Sequence, residues 1–265
     1  MRRSASGRRR RIMKNVMESR LLEKGSLEYF PTPPWATRAV IKEVLQGGLY
    51  FDLRSKRVRD PCAGGGHMSS PLAETFAAVD IADVADWGIN PEIRDFLEET
   101  RQRLLEDGHQ LPDWIFINPP FEQAVNFVLR ALEIATEGVA VFCRLGWLSS
   151  QSRYDRLFRY NAPAYVCPFS ERVALIQGVW DPEASSATDY AWYIWIKDHF
   201  PSETVRPLST VWHLPPGMED RYTRLSDMDL ATPGEAERRR LAKKEAEAAK
   251  RSATASPQLS LLEGT

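Results

Sequence analysis

Between about residues 27 and 212 the hydrophobic positions of this chain alternate between two textures. Short apolar or β-branched runs at 57–60, 77–81, 114–117 and 139–145 are separated by longer stretches, several with helical spacing. Over 122–136, Val125, Val128, Leu129 and Leu132 recur at three- and four-residue steps and so line one helix face. Further helices are expected over about 36–46, where the preceding prolines suit a first turn, over 68–74, and in part over 91–105. Such alternation predicts an α/β sheet with helices on both faces. Two last apolar runs, 165–176 and 190–197, have no full-length helix between them and are read as an antiparallel pair at the sheet edge. Their connecting loop, 177–189 with Trp180, is long for a hairpin and is a candidate nucleic-acid contact.

Both ends lack this texture. Residues 1–25 begin with an Arg-rich stretch, read as a disordered basic arm able to lie on phosphates or as a merely solvated start. Residues 213–265 are read as a charged, largely disordered tail. They include a helix candidate over 233–251 with no apolar stripe. The division is therefore arm 1–25, domain 26–212 and tail 213–265. A chain of 265 residues, 43% hydrophobic, has room for one substantial core. With a net charge of -1, attraction of a polyanion must come from local patches. Cys62, Cys143 and Cys167 are too widely spaced for a zinc site or disulfide framework. No apolar run is long enough to span a bilayer and no signal-peptide core follows the Arg-rich start, so a cytoplasmic protein without a membrane partner is expected.

Two segments carry candidate chemistry. Asp60-Pro61-Cys62-Ala63-Gly64-Gly65-Gly66-His67 lies where the first strand gives way to a helix. Its glycines allow close backbone approach to a ligand, and the following helix offers N–H groups and a positive dipole end, although tight turns use the same residues. Asp80, ending the second strand about 20 residues on, stands where nucleotide-type folds hold a ribose; Asp83 and Asp86 compete for that role.

Asn118-Pro119-Pro120-Phe121 also follows a buried strand and opens a helix, and such a tetrapeptide arises by chance in roughly one chain in a few hundred. An aromatic amino nitrogen is a poor nucleophile because its lone pair is delocalised into the ring. Two acceptors, the Asn118 side-chain oxygen and the Pro119 carbonyl, would grip its N–H groups and favour a tetrahedral nitrogen. The prolines would fix both acceptors in advance, and Phe121 would offer a ring for a base to stack on. A base in a duplex must be flipped out to reach such a pocket. No metal is demanded.

Together these segments resemble the class I S-adenosylmethionine-dependent amino-methyltransferases, and are most similar to the small adenine-specific DNA methyltransferases of phages and prophages. The resemblance spans about 29–197 and implies a Rossmann-like, mostly parallel seven-stranded sheet with an antiparallel edge hairpin. It implies that Pro31-Thr32-Pro33 with Trp35 helps hold the methionine end of S-adenosylmethionine. Asp60, Cys62, Ala63, Gly64 and Gly66 would form the cofactor loop, with Asp80 and Ile81 at the ribose, and His67 is read as a satisfied polar turn residue more readily than as a cofactor contact. Asp95-Phe96-Leu97 resembles the element whose Asp meets the adenine of the cofactor and whose Phe packs on its ring, although 95 lies in a stretch of helical pattern. The tetrapeptide ends in Phe where Tyr is commoner, which keeps the ring and loses a hydroxyl.

Adenine in DNA is the expected substrate. The same chemistry on RNA or on a protein glutamine amide stays open, as does a non-catalytic nucleic-acid-binding module. Phe127 is read as core more readily than as a wall for the base, and Arg144 as a phosphate ligand or a carboxylate partner. About 50 residues separate the glycine loop from the tetrapeptide, which suits a bare catalytic core without an inserted recognition domain. Near the end, Gln258-Leu259-Ser260-Leu261-Leu262 resembles the peptide by which bacterial replication proteins dock on the sliding clamp.

Overall fold

The computed structural model describes residues 27–197 and 208–255, the side chains of 252–255 excepted. The basic arm and the clamp-like peptide lie outside the described residues. Eight strands form one sheet in the order β3-β2-β1-β4-β5-β7-β6-β8. They are β1 Arg57–Asp60, β2 Ala78–Asp83, β3 Glu92–Ile93, β4 Trp114–Ile117, β5 Gly138–Arg144, β6 Tyr165–Pro168, β7 Tyr190–Ile196 and β8 Thr210–Val211. All neighbours are parallel except at β7, which runs antiparallel to both β5 and β6.

Strands β4 and β5 read as nearly continuous apolar runs because both faces are covered. Trp114 and Phe116 of β4 point into one cluster with Val40, Val44 and Trp192, while Ile115 and Ile117 point into the other with Val128, Ala131 and Val139. Period-two alternation thus divides one strand between two cores. Helix α1 (Pro34–Ala39), continued by a wider helical turn over Val40–Gln46, covers the first face. The long amphipathic helix of the second face, Ala124–Ile134, follows α2 (Ser69–Ala73) and α3 (Arg101–Glu106) in the chain and is α4.

Three expectations are corrected. The sheet has eight strands rather than seven, and β8 pairs in parallel with β6, so the antiparallel pair is interior and not at an edge. The stretch 91–105 holds a two-residue strand, a short turn at Phe96–Glu98 and only one turn and a half of α-helix. Strand β2 also runs to Asp83 and not to Asp80. An aspartate in mid-strand is accommodated because Arg57 of the adjacent β1 pairs with it at 2.9 Å.

Residues beyond 212 return to the core. Leu214 and Met218 are buried in the first cluster. Buried Arg38 of α1 donates a bidentate pair to Asp227 at 2.6 and 2.7 Å, three bonds to the Glu74 carboxylate at 2.7 to 3.1 Å and one to the Tyr222 carbonyl at 2.8 Å. The segment carrying α5 (Gln151–Arg153) precedes β6, and α6 (Met218–Tyr222) belongs to this returning strap. Helix α7 (Glu235–Ala255) then leaves the body, its first turn held by Asp181, which accepts from the amides of Gly234 and Ala236. No described helix is long and apolar enough to cross a membrane.

Candidate active site

The C-terminal ends of β1, β2 and β4 open onto one cavity of about 360 Å³. Two adjacent strands deliver the two motifs to it, since β1 and β4 are paired in the sheet. Residues 27–32 cross in front of both.

The glycine loop is closed by its own hydrogen bonds. The amide of Cys62 donates to Asp60 at 3.3 Å, Ala63 to the Ala82 carbonyl at 3.1 Å, and Gly64 to Asp83 Oδ2 at 2.9 Å. Gly65 donates to Tyr29 Oη at 2.9 Å and Gly66 to the Ala63 carbonyl at 2.8 Å. Gly64 and Gly66 hold φ of +52° and +83°, and a Cβ on Gly64 would lie 2.3 Å from the Tyr29 ring. Five successive amides are therefore committed to protein acceptors, unlike the phosphate cradle that a glycine-rich turn before a helix suggests. Acidic groups line the cavity instead, with Asp83, Asp95 and Glu122 among them. Burial raises the Asp83 carboxyl above the ordinary range, against bonds from Gly64, Ala85 and Trp87 that favour its ionised form. Asp60 is fully buried and accepts from Ser69 Oγ at 2.7 Å; burial pushes its pKa up to about 7.

His67 lines the cavity and its tautomer follows from its partners. Nε2 lies 2.9 Å from the Leu230 carbonyl, which can only accept, so Nε2 carries the proton. Burial lowers the His67 pKa and favours the neutral ring, leaving Nδ1 to accept from the Tyr29 hydroxyl at 3.3 Å. Tyr29 also rests on Trp87, with centroids 4.4 Å apart.

The tetrapeptide is organised differently. Asn118 Nδ2 donates to the Phe30 carbonyl at 2.7 Å and to Thr32 Oγ1 at 3.0 Å. A backbone carbonyl cannot donate, so the nitrogen of the amide must face Phe30. Both amide hydrogens are thereby used. Oδ1 is left with its lone pairs and with no donor among the described residues. Glu28 accepts from the Phe121 amide at 2.7 Å. The Phe121 ring meets Phe30 at a centroid distance of 5.2 Å, and the Arg144 guanidinium lies over it at 4.5 Å.

Of the residues singled out from sequence, Pro31, Thr32, Cys62, Ala63, His67, Asp95, Phe96, Asn118 and Pro120 line the cavity. Pro33, Trp35, Asp60, Gly64, Gly66, Ile81, Pro119 and Phe121 do not line it themselves. Trp35 is buried in the core against Phe169 at 5.4 Å. Asp80 pairs with Arg57 in mid-strand and lies off the cavity, and Asp83 takes the place at the end of β2. Asp95 is extended and caps the turn at Phe96–Glu98 by accepting from the Leu97 amide at 3.0 Å, so the helical pattern around it was misleading. Phe127 both fills the core against Phe96 and lines the cavity. Trp180 is buried and makes no exposed contact surface. Sequence reasoning missed Glu28, Tyr29 and Trp87, and held Asp83 only as a competitor of Asp80. The aromatic pair Tyr29-Phe30 before the prolines, in a segment otherwise without apolar periodicity, was the available signal.

No family model matches the chain, and no curated protein matches it. Solved structures do. A type I restriction-modification methyltransferase subunit from Streptococcus thermophilus aligns with a TM-score of 0.50 at 12% identity, over 83% of this chain and 54% of that one. A Listeria monocytogenes protein described as a class I S-adenosylmethionine-dependent methyltransferase aligns at 0.47 and 10% identity, over 69% and 65%. Magnesium protoporphyrin IX methyltransferase of Synechocystis, with S-adenosylhomocysteine bound, aligns at 0.40 and 12%, over 61% and 82%. The chain thus spans about two thirds of the Listeria protein and about half of the Streptococcus subunit. With the observed strand order, this makes the architecture a mixed α/β, Rossmann-like methyltransferase fold.

Proposed function

We propose that this chain transfers a methyl group from S-adenosylmethionine to the exocyclic amino group of adenine in DNA, in the manner of the small adenine-specific enzymes its motifs resemble. The observation that carries the reading is the Asn118 amide, turned by Phe30 and Thr32 so that its oxygen is the group left to accept a proton donor at the cavity. Likeness to the restriction-modification subunit supports DNA as the substrate.

The cavity suits this cofactor on chemical grounds. S-adenosylmethionine is a cation without phosphate and supplies an electrophilic methyl group. A loop with its amides already bonded and walls bearing Asp83, Asp95 and Glu122 suits a cation better than a pyrophosphate. Asp83 would receive ribose hydroxyls, Phe96 would pack on the adenine, and Pro31 and Thr32 would border the methionine end. Asn118 Oδ1 and the Pro119 carbonyl would hold the two hydrogens of the substrate amino group. Their fixed positions lower the cost of reorganisation at the moment of transfer. Residues 27–32 line the cavity, and Phe30 and Thr32 among them keep Asn118 oriented.

The test is Asn118→Ala, assayed for binding of S-adenosylmethionine by titration calorimetry and for methyl transfer to DNA. Binding within about twofold of wild type with transfer lost is the expected result, because the glycine loop is untouched. Undiminished transfer overturns the assignment.

A further inference from the structure

The stretch from Arg144 to Tyr160 is a second surface beside the cavity, and its chemistry differs from the acidic cavity wall. Within seventeen residues it carries four arginines, at 144, 153, 156 and 159, and one acid, Asp155. Two aromatic rings stand exposed among them, Tyr154 at 47% and Tyr160 at 72%. Basic groups interleaved with exposed aromatic rings are suited to a nucleic-acid strand.

The stretch is also fixed to the candidate active site. Arg144 ends β5, next to β4 with the tetrapeptide at its end, and lies over the Phe121 ring. Arg156 donates to Asn126 of α4, the helix that the tetrapeptide opens, at 2.6 Å. Arg153 donates to the carbonyls of Trp147 at 2.6 Å and Ser149 at 2.9 Å. Among the described residues none of these four arginines has an ion pair closer than 4.0 Å, whereas those on α7 are largely neutralised by Glu235 and Glu237 one turn away. Cations held by neutral partners keep their charge available for phosphate.

We infer that the Arg144–Tyr160 face is the docking surface for a DNA strand, and that Arg144 is its joint with the cavity. The inference rests on the amino-methyltransferase reading for its choice of strand. Arg153, Arg156 and Arg159 meet backbone phosphates, and Tyr154 and Tyr160 take bases flanking the target. The planar Arg144 guanidinium occupies the face of Phe121 in the free protein, where an incoming adenine would stack. When the base enters, the guanidinium gives up the ring and moves onto the adjacent phosphate. An exchange of one planar partner for another keeps the ring covered in both states.

The experiment measures binding of a fluorescein-labelled, adenine-containing single-stranded DNA 20-mer to the full chain by anisotropy, from 50 to 300 mM salt. Variants are Arg156→Gln/Arg159→Gln, Arg144→Gln, and Arg54→Gln as a control at the opposite end of β1. Each phosphate contact removed lowers the slope of log K against log salt by about 0.7 for a single strand. The double variant should therefore lose about 1.4 and Arg144→Gln about 0.7, with Arg54→Gln unchanged. Slopes equal to wild type, an equal fall in the control, or no strand binding by wild type at the lowest salt overturns the inference. Titration of S-adenosylmethionine into the same proteins separates the two readings. Unchanged cofactor binding shows the variants are folded, whereas wild type without cofactor binding sinks the methyltransferase reading and leaves the slopes to judge the face.

Discussion

The two loops that build the cavity leave neighbouring parallel strands at the same edge of the sheet, yet they are made by opposite means. The loop after β1 works by omission: glycines at positive φ remove side chains so that Tyr29 can close over the backbone, and every amide is bonded within the protein. The loop after β4 works by presentation: prolines stiffen the backbone, and one side chain is held from behind by Phe30 and Thr32 so that its oxygen faces outward. A site of the first kind gives shape and tolerates little added bulk. A site of the second kind gives directed charge and tolerates little lost polarity. Substitutions that add atoms should therefore hurt the first loop, and those that remove atoms should hurt the second.

The largest expected effect is at the second loop. Asn118→Ala removes a preorganised acceptor, and by analogy with deletion of a single oxyanion-hole donor the transfer rate should fall by about 10²- to 10³-fold. A drop confined to cofactor affinity would break the contrast.

Next comes Gly64→Ala, which must adopt a left-handed backbone at about 1 to 2 kcal/mol and displace the Tyr29 ring. Cofactor affinity should weaken by about tenfold or more. Gly66→Ala sharpens the point, because a Cβ there meets nothing nearer than Ile89 Cδ1 at 3.5 Å and suffers the backbone strain alone. Equal losses at both positions, measured by calorimetry, would show that the approach of Tyr29 is not what the glycine serves.

Thr32→Val takes one of the two acceptors from the Asn118 amide while the Phe30 carbonyl still fixes its orientation. The expected loss in turnover is about fivefold, the worth of about 1 kcal/mol for one hydrogen bond. Cofactor affinity staying level while turnover falls would mark Thr32 as a positioning residue.

The smallest effect is a change of slope. Burial raises the Asp60 pKa from about 4 to about 7, so the folded protein binds a proton between those values that the unfolded chain has released. The contribution of this group to stability therefore declines as pH rises through that window. Asp60→Asn should flatten the decline in thermal unfolding between pH 4 and 7. An unaltered pH profile would assign the ionisation to another group.

These contrasts were unevenly legible in the sequence. Strands β1 and β4 coincide with the expected 57–60 and 114–117 because each ends at a residue that stops a ladder, Pro61 after the first and Pro119 soon after the second. The motif residues could be read because Gly, Pro and Asn act through their own backbone and amide chemistry. What could not be read depends on partners distant in the chain. Asp80 and Asp83 are equivalent as letters, and only the pairing of Asp80 with Arg57 leaves Asp83, at the end of β2, as the acid that lines the cavity. Residues 214–231 dock through the Arg38–Asp227 ion pair and a few apolar contacts, which leaves no amphipathic stripe. Strand β8 is two residues long and carries no periodicity at all. Tyr29 gains its role from a glycine 35 positions away, which no local pattern encodes.

The central claim is that the outward oxygen of Asn118 receives an adenine amino group. It is tested most directly by incubating the protein with S-adenosylmethionine labelled in its methyl group and with DNA, RNA and protein acceptors together, then hydrolysing the DNA and identifying the labelled base. The account predicts label in N6-methyladenine from DNA with wild type, and none with an Asn118→Ala variant that still binds the cofactor. Label found only in RNA or protein, or equal labelling by the two proteins, would contradict it.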